Sequence, residues 1–181
     1  MWDSGAVASS EETGWNEPRA ARPSMPGYGV LGEDEGTGLL PWTWAEERLT
    51  ASRNYWVISL WPDGRPHAMP VWGVWDHRHL WFSSGGRSRK TRNLIADPRC
   101  AVAVEDATDP VVVEGSAEVE RDVDALAGVL ALINTKYSTG YTMAFMDPDL
   151  NATFRVRLDW AFGLVGDDFA GSPTRWVFDA G

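Results

Sequence analysis

Four cations fall within six residues of one stretch, Ser83-Ser84-Gly85-Gly86-Arg87-Ser88-Arg89-Lys90-Thr91-Arg92-Asn93, in a chain that is otherwise acidic. The stretch follows an apolar strand pattern and leads into a helical one. A helix start leaves backbone N–H groups unpaired and carries partial positive charge, and Arg and Lys add charge-assisted hydrogen bonds. Gly85 and Gly86 let backbone come close to a ligand. These residue types at this spacing suit one small anion, above all a phosphate. The stretch is not a P-loop, lacking the Gly-Lys-Ser/Thr ending, and it is not a dinucleotide fingerprint.

Other chemistry is thinly represented. His67, His77 and His79 show no convincing metal-ligand spacing, so no metal site is expected. His77 and His79 flank a turn and are expected to face water. The single cysteine, Cys100, lies in the apolar run Cys-Ala-Val-Ala-Val and reads as a buried filler. Glu46-Glu47 and Asp167-Asp168 are adjacent pairs that do not face one another, and no nucleophile elbow supports Ser/His/Asp catalysis.

The net charge of −10 argues against a nucleic-acid partner, which needs a broad basic face. No apolar run is long enough to span a bilayer. The start, Met1-Trp2-Asp3-Ser4, has neither a basic nor an apolar leader segment, and one cysteine suits a reducing compartment, so a cytoplasmic protein is expected. The eleven tryptophans are expected in core and interface.

The elements that would position the cationic stretch can be read on either side of it. Residues 1–40 are rich in Gly, Ser, Pro, Glu and Asp without apolar periodicity, which predicts a disordered acidic tail; the folded domain is expected over 41–181. Thr43-Trp44-Ala45-Glu46 has capping-box spacing, predicting a helix to about Arg53. Residues 55–61 and 66–75 read as an antiparallel pair across Pro62-Asp63-Gly64-Arg65, and 79–83 as a third strand. A short helix is expected from Ser88 to Ala96, stopped by Asp97-Pro98. Strands follow at 99–105 and 111–120, a helix at 122–137 with Val123, Leu126, Val129, Leu130 and Ile133 on one face, and strands at 153–165 and 175–178. The pattern predicts a mainly β protein, a six- to seven-stranded antiparallel barrel with short helices, closure removing exposed strand edges.

The order of these parts resembles the split-barrel flavin and deazaflavin oxidoreductases, the superfamily of pyridoxamine 5′-phosphate oxidase. The residues that carry it are Gly64-Arg65-Pro66-His67-Ala68-Met69-Pro70-Val71-Trp72, Leu80 to Ser84, Ser88 to Leu94 with Asp97-Pro98-Arg99, Val112 to Glu118, Ala161-Phe162-Gly163 and Thr174 to Phe178. The resemblance implies an FMN-binding type of split barrel and a homodimer with the cofactor at its interface. It implies FMN or the 8-hydroxy-5-deazaflavin coenzyme (F-420) as cofactor, and hydride transfer to a small-molecule unsaturated substrate. Ser83 and Ser84 would hold the phosphate or polyol arm, Arg89 and Lys90 would pair with the phosphate, and Arg87 would assist. Met69, Pro70, Val71 and Trp72 would run beside the ring, and Trp176 would help close the partner's pocket. The chain departs from pyridoxamine phosphate oxidases at Met69, near Val74 and at Pro110, which speaks against that activity itself. The rival reading is a non-catalytic carrier of a flavin, a heme or a B6 vitamer, with His67 as a heme ligand.

Overall fold

The computed structural model describes residues 17–179. Eight strands and three helices follow one another: β1 (Arg19–Ala21), α1 (Trp42–Ala51), β2 (Asn54–Leu60), β3 (Pro66–Trp75), β4 (Leu80–Gly85), α2 (Arg89–Ala96), β5 (Arg99–Val104), β6 (Val111–Val119), α3 (Val123–Tyr137), β7 (Asn151–Gly163) and β8 (Thr174–Val177). Short 3₁₀ turns occupy Met143–Met146 and Gly166–Asp168.

Strands β7-β4-β3-β2-β5-β6 are joined in that order, and β6 returns to β7, closing a six-stranded antiparallel barrel. The length of β7 makes closure possible. Its residues 151–156 pair with β4 and its residues 160–163 with β8, while β6 runs along its other edge. The ladder shifts register between Glu114 and Gly115, where the two strands come so close that a Cβ on Gly115 would lie 1.9 Å from the Arg157 carbonyl oxygen. Only glycine fits there, and such a bulge bends the sheet toward closure.

Alternate residues fill the interior: Tyr55, Val57, Phe82, Val102, Val113, Phe154 and Val156 are all fully enclosed. Phe82 and Phe154 face each other across β4 and β7 with stacked rings 5.2 Å apart. Each such side chain contributes about 1.5–3 kcal/mol of burial energy, which holds the barrel without any disulfide. A second apolar cluster lies outside the barrel, where Leu126, Val129, Leu130 and Ile133 of α3 cover Val74 and Trp81.

Two expectations are corrected. The capping box does not form: α1 begins at Trp42 after Pro41, with no side-chain cap. Glu46 turns instead to Trp75, whose indole Nε1 donates to it at 3.3 Å. The predicted tail also differs. Residues 1–16 lie outside the described residues, but 17–40 are part of the fold. Strand β1 pairs with β8, and the Arg22 guanidinium donates to backbone carbonyls of Gly32, Glu35, Gly38, Gly171 and Pro173. Composition misled because this segment is fastened by polar bonds to backbone, which leave no apolar period in the sequence.

Candidate functional site

One seam of the barrel is open. Strands β3 and β4 pair only at Gly73–Phe82, Val74–Trp81 and Trp75–Leu80. Below Gly73, β3 continues to Pro66 paired on its other side with β2, and β4 continues to Gly85 paired with β7. The two strands therefore splay apart and leave a cleft walled by 66–72 and 83–85. The Gly73 N–H and C=O both meet the Tyr137 hydroxyl at 2.8 Å, which also donates to the Arg53 carbonyl just ahead of β2. Gly73 thus points its backbone toward β2, and by strand alternation Ala68, Pro70 and Trp72 point theirs into the cleft. Pro70 offers only a carbonyl there.

Helix α2 closes one end of this cleft. Its Ser88 N-cap accepts from the Thr91 N–H at 3.2 Å, and the hydroxyls of Ser84 and Ser88 lie 2.9 Å apart. Thr91 Oγ1 donates to the Gly85 carbonyl at 3.0 Å, and Gly86 N–H to the Leu150 carbonyl at 2.8 Å. The loop is therefore built before any ligand arrives. The cap takes up the Thr91 N–H and leaves those of Arg89 and Lys90 as helix-start donors. The Arg89 guanidinium lies 4.1 Å from the ring centre of Trp61 at the end of β2, and Trp61 in turn meets His67 of β3 edge-on at 5.8 Å. Arg89 and β3 thus meet at the same end of the cleft.

The electrostatics are informative. Among the described residues Arg48, Arg65, Arg99, Arg155 and Arg157 each pair with a carboxylate. Arg87, Arg89, Lys90 and Arg92 pair with none. Lys90 is half-buried, and that burial pulls its amine below the ordinary lysine range. A partly desolvated, unpaired cation is costly unless an anion completes it.

Residues 44–162 match the family model for pyridoxamine 5′-phosphate oxidase. The chain belongs to that family. No curated protein matches it, but solved structures share its fold. A conserved hypothetical protein, Rv2991, of Mycobacterium tuberculosis is 23% identical, with a TM-score of 0.60, over 77% of this chain and 88% of that one. An F420 reductase is 26% identical at a TM-score of 0.51 over 62% and 91% of the two chains. HutZ, the heme storage protein of Vibrio cholerae, is 16% identical at 0.53 over 64% and 88%.

Within this family framework the expected site residues separate. Met69 and Trp72 stand in the cleft wall, 44% and 43% exposed, while the Val71 side chain turns into the core. Trp72 lies flat on Tyr137, ring centres 4.3 Å apart. Ser83 is directed away from the barrel interior, its hydroxyl 2.7 Å from Thr153 Oγ1, and Thr153 donates onward to Met146 Sδ at 3.4 Å. Arg87 stands apart from the cleft. It lines a cavity of about 600 Å³ behind the loop, whose walls carry Arg121 together with Glu118, Glu120 and Asp149 and so mix both signs of charge.

Trp176 is a correction. It is fully enclosed in the chain's own core, donates from Nε1 to the Leu40 carbonyl at 3.2 Å and meets Trp42 edge-on. It pairs with Ala161, whereas Ser83 pairs with Thr153, about 26 Å along β7 at the usual strand rise. It cannot reach out to a partner's pocket. His79 also differs, being largely enclosed beside Asp76 rather than facing water. Burial pushes the Cys100 thiol up to about 12, as befits an inert filler. Sequence reasoning missed Trp61 and Tyr137, each brought to the cleft by chain distant from the cationic motif, and Thr153, which holds the Ser83 hydroxyl from β7.

Proposed function

We propose that this protein is an oxidoreductase that binds FMN or the deazaflavin coenzyme in the open seam between β3 and β4. The observation that carries the reading is the unpaired, half-buried Lys90 beside Arg89 at the closed end of that seam, in a chain of net charge −10. Arg89, Lys90 and their free N–H groups would hold the phosphate, and Ser84 would support the polyol arm through Ser88. The split-side backbone of Ala68, Pro70 and Trp72 would meet the polar edge of the ring. When bound, either cofactor supplies hydride chemistry toward a small unsaturated substrate, and the protein contributes orientation and electrostatics. The described side chains along the cleft offer no carboxylate–histidine pair, which suits a reaction of that kind. The F420 reductase among the similar structures favours the deazaflavin branch.

The same reading includes a homodimer, supported by the outer face. Pro70, Trp56, Ala103, Val112 and Phe162 are successive register partners across β3, β2, β5, β6 and β7, an apolar row running over five strands. Trp56 in that row is 45% exposed. A second copy would cover it and bring its own surface to the cleft mouth.

Titration with FMN and with the deazaflavin coenzyme, followed by tryptophan quenching, tests the reading; binding of neither sinks it. The carrier reading rests on His67, which stands on the cleft strand with one ring nitrogen open, and on the heme storage protein that shares the fold. Tight binding of hemin with no turnover of reduced cofactor on any acceptor would favour it.

A further inference from the structure

Beneath α2 lies a small polar cluster that the cofactor reading does not use. Ser59 and Asn93 are 0% and 2% exposed inside an apolar core. Asn93 Nδ2 donates to Ser59 Oγ at 3.2 Å, leaving Asn93 Oδ1 enclosed with no partner. Ser59 is the cross-strand partner of His67, on the same face of the sheet, and His67 Nδ1 is likewise enclosed with no partner. Paired positions of an antiparallel ladder hold their Cβ atoms about 5 Å apart, so the His67 side chain neighbours Ser59, which in turn holds Asn93.

One arrangement accounts for all three groups together. Asn93 Oδ1 is an acceptor. Ser59 Oγ accepts from Asn93, so its own hydrogen is still to be placed. A single water donating to Asn93 Oδ1 and to His67 Nδ1, and accepting from Ser59, satisfies every group, which is the ordinary role of buried water. That arrangement requires Nδ1 of His67 to be the acceptor. The ring proton then sits on Nε2, the nitrogen that is not enclosed. His67 is on the cleft strand, and its ring meets edge-on the Trp61 ring over which Arg89 lies.

We infer that His67 is a further binding residue of the seam. The Asn93–Ser59–water relay fixes it as the Nε2–H tautomer, and Nε2–H donates to the phosphate-bearing arm of the cofactor. The inference rests on the cofactor reading for its ligand, but not for its tautomer.

Two measurements test it on the full chain. With three histidines in the sequence, nitrogen-15 spectra of the imidazoles can be assigned by single substitutions. In free protein near neutral pH, His67 is expected as the Nε2–H tautomer, and Asn93→Leu is expected to erase that preference. A proton found on Nδ1 overturns the relay. In FMN titrations His67→Phe is expected to weaken binding by about tenfold or more, as for a lost hydrogen bond to a charged group, while His67→Gln retains most of it. Unchanged affinity in His67→Phe, with Lys90→Ala still weakening FMN, overturns the ligand role and leaves the cofactor reading standing. If wild type binds no FMN and no deazaflavin coenzyme, the cofactor reading and the ligand role fall together, and the spectra still judge the relay.

Discussion

Lys90 and Lys136 are the only lysines in the chain, and burial lowers both amines, Lys136 to about 8. Their surroundings differ. Lys136 Nζ is spent on Tyr55 Oη at 2.8 Å and the Gly73 carbonyl at 3.0 Å, whereas Lys90 has no bonding partner among the described residues. Lys136 therefore locks α3 onto β3, and Lys90 is the amine left for the proposed anion. Replacing Lys90 with Ala should cost about 1.5–3 kcal/mol of cofactor binding, the scale of a hydrogen bond to a charged group. Unchanged affinity in a folded variant would remove Lys90 from the site. Acylation followed by mass spectrometry separates the two amines further. Raising pH deprotonates an amine, so Lys136 should reach half its maximal rate near about 8, well below an ordinary lysine. Bound FMN should raise the Lys90 amine and slow its acylation while leaving Lys136 as before. Equal protection of both would place the ligand elsewhere.

At the scale of elements, the cleft depends on the β3–β4 turn, because the strands that splay below Gly73 are held together only above it. Asp76 clamps that turn. It accepts from the Arg78 and His79 N–H groups at 2.8 and 2.6 Å and from Trp81 Nε1 at 2.6 Å, while His77 takes a φ of 72°. Burial alone would push the carboxyl up, but the bonds from His79, Trp81 and Arg78 outweigh it and hold it at about 2. A depressed carboxylate contributes stability that is complete above its unfolded value, about 3.9, and is lost as pH falls toward about 2. Wild type should therefore exceed Asp76→Asn in stability at neutral pH, with the gap closing between about pH 4 and 2 in denaturant titrations. A gap independent of pH would mean the charge plays no part. The turn itself was legible, since Asp76-His77-Arg78 carries turn chemistry, and so were strands β2 to β8 and helix α2, although Ser88 proves to be the cap of that helix and not its first residue. What escaped notice shares one physical trait. Strand β1 is three residues long, Arg22 works through backbone carbonyls, and the α1 start is set by tertiary packing of Trp42. None of these leaves a period in the sequence. Trp176 failed for the related reason that an aromatic near a chain end reads alike whether it plugs its own core or reaches outward.

For the molecule as a whole, the outer row from Pro70 to Phe162, exposed at Pro70 and Trp56 and half-buried beyond them, shares strand β3 with the open seam. Its even positions, Ala68, Pro70 and Trp72, turn their side chains outward with Trp56 and their backbone toward the cleft. Covering the outer face therefore orders the wall against which the ring would rest. Large apolar patches on a folded chain are costly to leave in water, and aromatic residues dominate the energetics of the interfaces that cover them. Trp56→Glu would place a charge at the exposed end of that row without touching the barrel interior, where Tyr55 and Val57 point. Sedimentation should then show a monomer in place of a dimer, with thermal unfolding still cooperative. Cofactor affinity should drop in the same variant even though Arg89 and Lys90 are intact, because in the proposed dimer the partner would supply part of the cleft mouth. A dimer that survives Trp56→Glu would assign the face another role. A monomer that binds cofactor as tightly as wild type would show the seam to be complete within one chain.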